Sequence, residues 1–256
     1  MSNKTRRTVL KSVGGVAVVG TLAGCLDGDD EPEPEPEDDG MDNEMDDEMD
    51  DTTEPDAALR VAHLSPDAPN VDVYIDGDAV LEDVPYRAVS EYLEVPAATY
   101  EVMITAADDM ETVVFDEDLA VPAGEFTVAA LGELDELNEP FGVEVYEDDI
   151  SDPGEEARVR LVHAAPDAPN VDVTVDGEPL FEDVPFGAAG AVEVPADVYE
   201  LEVRPATEDV DGDVVATFEL GPEAGVVYTA FAVGYLEPED APADEPFDLE
   251  LIVDNE

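Results

Sequence analysis

"RVAHLSPDAPNVDVYIDG" occupies residues 60–77, and "RLVHAAPDAPNVDVTVDG" occupies residues 160–177, one hundred positions later. Residues 66–73 return unchanged as residues 166–173. Inside the segment the period is two. Val71, Val73 and Ile75 point one way and Asp72 and Tyr74 the other, which is the alternation of a strand with one buried face. Asp76-Gly77 is a tight-turn dipeptide, and "DAVLEDV" after it supplies the returning strand of a hairpin.

The correspondence continues outward. "EDVPY" at 82–86 answers "EDVPF" at 182–186, and "EVPA" at 94–97 answers "EVPA" at 193–196. Tyr100 answers Tyr199, Gly124 answers Gly225, and Pro140-Phe141 answers Pro246-Phe247. Self-similarity at this spacing marks a duplicated unit of domain size rather than a solenoid repeat. Further strand-like runs in the first copy are 89–95, 99–105, 112–119, 125–131 and 141–146, most of them separated by proline or glycine. No amphipathic helix of useful length appears. The pattern predicts an all-β chain of two tandem antiparallel β-sandwich domains, with a small barrel as the alternative. The first domain is expected over 58–149 and the second over 157–254. The connection "ISDPGEEA" at 150–157 is short, so the two are expected to pack with restricted freedom.

Charge bounds the setting. The chain carries 70 acidic and 9 basic residues. Lys4, Arg6, Arg7 and Lys11 lie in the first 25 residues, so the remainder carries 5 − 70 = −65 formal charges. Such self-repulsion opposes a compact state in dilute buffer. At molar salt the Debye length falls to about 3 Å and most of the repulsion is screened. An acidic chain whose mature part lacks lysine therefore reads as one adapted to very high salt, and it resembles the proteins of halophilic archaea. Nucleic acid is excluded as a partner, because almost nothing is present to neutralise phosphates. Cys25 is the single cysteine, so no intramolecular disulfide is possible and each domain must hold through its own core.

The first 25 residues read as an address and an anchor. "TRRTVLK", with Arg6 and Arg7, resembles a twin-arginine export signal. The apolar stretch 13–23 is too short to span a bilayer and reads as a signal-peptide core. It ends in Leu22, Ala23, Gly24 and Cys25, which resembles a lipobox: small residues admit a peptidase, and the thiol takes a thioether-linked lipid. The expected product is exported and anchored through a covalent lipid to the outer face of the cytoplasmic membrane. Residues 26–57, rich in acid and proline with Met41, Met45 and Met49 interspersed, read as a disordered stalk.

The segment at 60–77, followed by "VPAATY" and the strand after Gly124, resembles the domain of unknown function numbered 4397. The resemblance covers about 58–149 and 157–254. The second copy departs from the first where Ala164-Ala165 replace Leu64-Ser65 and Thr174 replaces Tyr74. It implies an immunoglobulin-like fold, often in tandem in exported proteins, and carries no established activity.

Several residues could carry chemistry. His63 and His163 each precede an aspartate, Asp67 or Asp167, by four positions, and a histidine held by a carboxylate is a familiar base. Yet Ser65, the nearby hydroxyl, becomes Ala165 in the second copy. The architectural reading fits better. Pro66 and Pro69, with Pro166 and Pro169, force an extended, turning path and donate no hydrogen bonds. Asp67, Asn70 and Asp72, with Asp167, Asn170 and Asp172, have side chains suited to the backbone groups such a turn leaves unpaired. Asp209, Asp211 and Asp213 in "DVDGD" alternate as in a calcium loop but lack the distal bidentate glutamate, so they are weak metal candidates. Tyr74 and Tyr92 are the aromatics expected to be exposed for carbohydrate. Arg60 and Arg160 are expected to pair with local carboxylates. No cofactor and no catalysis are expected. The role expected is structural, adhesive or ligand-presenting toward an envelope or extracellular protein or glycan. The alternatives are a solute- or cation-binding lipoprotein, with a pocket between the domains, and a hydrolase, with both histidines facing solvent beside a cleft.

Overall fold

The structure, a computed structural model, describes residues 56–255. Arg6, Arg7, Leu22, Ala23, Gly24, Cys25 and nearly all of the acidic stalk lie outside the described residues. The first repeat comprises β1 (Ala57–His63), β2 (Val71–Ile75), β3 (Asp78–Val84), β4 (Leu93–Val95), β5 (Ala98–Ala106), β6 (Asp109–Val121), β7 (Gly124–Leu131) and β8 (Gly142–Glu147). The second comprises β9 (Glu156–His163), β10 (Val171–Val175), β11 (Glu178–Val184), β12 (Ala189–Pro195), β13 (Tyr199–Pro205), β14 (Ala216–Leu220), β15 (Val227–Val233) and β16 (Asp248–Val253). A short 3-10 turn at Pro238–Asp240 interrupts the loop between β15 and β16.

Each repeat is a sandwich of two four-stranded sheets. Their orders are β4-β1-β7-β8 with β3-β2-β5-β6, and β12-β9-β15-β16 with β11-β10-β13-β14. The fold is all-β, with eight strands per repeat rather than seven. The expected antiparallel pattern holds except at one place in each repeat. β1 runs parallel to β7 with Arg60 opposite Thr127, and β9 runs parallel to β15 with Arg160 opposite Thr229. Parallel neighbours need a long connection, and here the whole outer sheet intervenes between them in sequence.

Local sequence explains the hairpin that opens each outer sheet. Asp76 and Gly77 take φ of 51° and 85°, as do Asp176 and Gly177 at 52° and 80°, the two left-handed residues of a type I′ turn. Val71 and Val73 then face the core with Val61, Val102 and Ile104. The run expected at 89–95 forms a strand only over Leu93–Val95, whereas its counterpart Ala189–Pro195 pairs with β9 from Glu156 to Val162. Gly132 and Gly234, just past β7 and β15, hold φ of 84° and 79°, and a Cβ at either would stand 2.2 Å or 2.4 Å from the carbonyl oxygen of Pro140 or Pro246. Only glycine fits there.

The two repeats share a third core. Residues of the β1–β7 face that point away from their own sandwich pack with the matching residues of β9 and β15 into one buried cluster. The described residues thus stack four sheets deep within one compact unit, with the two β1-type sheets innermost.

Candidate functional site

The doubled loop is consumed by its own architecture. His63 and His163 are fully buried, and the Nε2–H of each donates to the carbonyl of Pro69 at 3.0 Å or Pro169 at 3.1 Å. Burial pushes both imidazoles below the ordinary histidine pKa, with the carbonyl hydrogen bond opposing it. Tyr86 and Phe186 meet these rings edge-on at 6.2 and 6.1 Å. The hydrolase reading required solvent-facing histidines, and these face none. Ser65 donates to the Gly132 carbonyl at 2.7 Å, a structural bond.

The carboxylates of the loop receive backbone amides. Asp67 accepts from Leu134 and Asp135 at 2.9 Å each, and Asp167 accepts from Leu236 and Glu237 at the same distance. Asp72 accepts from Asp83 at 2.8 Å and Asp108 at 3.1 Å, and Asp172 accepts from Asp183 at 2.8 Å and Thr207 at 3.2 Å. Asn70 and Asn170 donate to the carboxylates of Asp83 and Asp183. Those two aspartates hold φ of 55° and 50° where β3 and β11 bulge against their partners, so each carboxylate–amide pair braces a left-handed bulge. Pro66 and Pro166 are buried, while Pro69 and Pro169 lie at the surface of the turn.

Three expected sites are placed differently. Tyr74, expected to be exposed, is 8% exposed, and Asp72 beside it is also buried, so the outward face of β2 is covered. Tyr92 is half-buried and its hydroxyl donates to Asp148 at 2.7 Å while Arg60 lies 4.9 Å from its ring centroid, so it is no open platform for sugar. Asp209, Asp211 and Asp213 do not converge: Asp211 is held by the Thr207 hydroxyl, and Gly212 between them is drawn inward by Arg204. Among the described residues no three His, Cys, Asp or Glu side chains come together as a cation site.

The arginines of the doubled segment form the least expected feature. Arg60 pairs with Asp148 of its own repeat at 3.4 Å and with Asp254 of the other at 2.8 Å. Arg160 reaches across to Asp148. Thr127 and Thr229 brace the pairs, donating to Asp148 and Asp254 at 2.7 Å and accepting from Arg60 and Arg160 at 2.8 and 2.9 Å. The four charges cancel, and the side chains are at most 10% exposed. The expectation of local pairing is therefore corrected: the partners are shared between repeats. Two further bonds cross between the repeats: Arg87 bonds Asp248 at 2.8 Å, and Tyr146 donates to the Gly187 carbonyl at 2.9 Å.

Open space lies elsewhere. The cavity between the sheets of the first repeat measures about 30 Å³ with wholly apolar walls, room for a water-sized group only. An open groove of about 590 Å³ runs beside Asp167 in the second repeat, between Val215 on one side and Leu236, Pro238 and Phe247 on the other. The loop that walls it, from Gly234 to Pro246, spans 12 positions against 8 from Gly132 to Pro140, so the second repeat carries four extra residues there.

Two β-sandwiches of one design, each opened by the same doubled loop, define a tandem all-β class of protein. Residues 57–174 and 157–256 match the family described as "Domain of unknown function (DUF4397)", together 200 of the 256 residues. The chain belongs to that family. No curated protein matches the chain. Among solved structures it is similar to the carbohydrate-binding module CBMbc (family CBM26) of Amy13K from Eubacterium rectale, crystallised with maltoheptaose. Identity is 6%, coverage is 77% of this chain and 95% of that one, and the TM-score is 0.25, a likeness that says nothing about ligand.

Proposed function

We propose that this is a lipid-tethered surface protein whose paired sandwiches form a rigid, non-catalytic head that presents a ligand-binding surface away from the membrane. The supporting observation is the division of labour in the second repeat. In the doubled loop His163, Asp167 and Asp172 are spent on backbone groups, while the extra-long β15–β16 loop and the exposed Val215 leave an open groove beside it. A ligand site of this size and mixed lining suits a small solute, a glycan unit or a peptide segment. The twin-arginine signal, the lipobox ending at Cys25 and the acidic stalk supply export, anchor and reach.

Two measurements test the two halves of this reading. Mass spectrometry of the native product is expected to find a lipid on Cys25, and Cys25→Ser is expected to release the protein from membranes. An unmodified Cys25 in a cytosolic product defeats the tether. Screening the mature protein in molar potassium chloride against arrayed glycans and peptides is expected to give a ligand whose binding falls at least tenfold in Val215→Asp. A ligand indifferent to that change defeats the groove.

A further inference from the structure

We infer that the seam between the repeats is a recognition surface that accepts the other repeat and rejects a copy of itself. The two faces are equivalent in register and opposite in volume. On one rung the first repeat presents Ala62 and Ala129, where the second presents Val162 and Phe231. On the next, Leu64 and Leu131 stand where the second has Ala164 and Val233. Small meets large twice, in opposite senses, and all eight side chains are 0–3% exposed in a single cluster. Pairing two first-type faces would leave voids at both alanines of the first rung. Pairing two second-type faces would crowd two Phe231 and two Val162 side chains into one rung. Voids and overpacking both cost stability in a close-packed interior.

The polar groups at the rim do not make this choice, because Arg60, Thr127 and Asp148 recur as Arg160, Thr229 and Asp254. They suit any pairing of the two face types. Discrimination therefore rests on the apolar rungs. The connection favours the partner in the same chain: Arg158 ties it down through the Asp149 and Ser151 carbonyls at 3.0 and 2.9 Å. A short, pinned tether gives that partner a high effective concentration. Each molecule is thus expected to close on itself rather than on a neighbour.

The test exchanges the faces in the full mature chain. A half-exchange, Val162→Ala, Ala164→Leu, Phe231→Ala and Val233→Leu, makes both faces first-type. It is expected to lower the thermal midpoint by roughly 5 °C or more. Adding Ala62→Val, Leu64→Ala, Ala129→Phe and Leu131→Val restores complementarity with the faces reversed. This full exchange is expected to recover at least half of the loss and to sediment at the same mass as the parent. A half-exchange as stable as the parent overturns the inference. So does a full exchange that recovers nothing.

Discussion

At the residue scale, the repeated polar side chains act as replacements for missing backbone partners, and their burial ranks their importance. Asp172 is 1% exposed and accepts two amides, so Asp172→Ala should cost about 2 kcal/mol, the range for stranded buried groups. Asp67 caps amides that are themselves exposed, where water can take over, so Asp67→Ala should cost less, about 1 kcal/mol. Urea titration in molar potassium chloride ranks the two. The histidines give a pH signature. Both have folded-state pKa values below the unfolded value of about 6.5. Their contribution is therefore complete above about pH 6.5. It is lost on acidification from there toward the folded values, because the unfolded chain binds protons first. Thermal midpoints measured from pH 8 down to 5 should fall, and the double variant His63→Gln, His163→Gln should fall less steeply. A parental curve that is flat below pH 6.5 would show the rings to be protonated in place.

At the element scale, the sequence made the outer hairpins plain. Period-two alternation ending in Asp-Gly needs only local chemistry, and β2 and β3 lie where that chemistry puts them. What could not be read was everything set by distant neighbours. Tyr74 alternates as an outward residue, but whether that face meets water depends on what packs over it, and strand period carries no such information. The parallel partner of β1 is a strand more than sixty residues on, and no local pattern names it. The partners of Arg60 were hidden for the same reason: among 70 carboxylates, only the fold selects Asp148 and Asp254. Duplication was the usable signal, since an arginine kept at one register in both copies invites a shared partner. Gly132 offers the sharpest test at this scale. Gly132→Ala forces a side chain into the Pro140 carbonyl at a left-handed φ, and its midpoint should drop by about 5 °C or more, whereas Gly142→Ala, with open space around it, should be mild.

At the scale of the whole molecule, two kinds of electrostatics oppose each other. The diffuse surface charge repels and is screened by salt, so stability should rise steeply with potassium chloride up to molar concentrations. The Arg60–Asp148–Arg160–Asp254 quartet is buried, neutral and shielded, so its contribution should be nearly independent of salt. Asp148→Ala strands the buried guanidinium of Arg160, leaves Arg60 with Asp254 alone, and should cost about 3–5 kcal/mol at any ionic strength. The quartet, the apolar seam and the pinned connection together make the two sandwiches a single body. Calorimetry of the mature chain in molar potassium chloride tests that unity most directly. One transition, with calorimetric and van't Hoff enthalpies equal, is the predicted result. Two resolved transitions, one for each repeat, would contradict it.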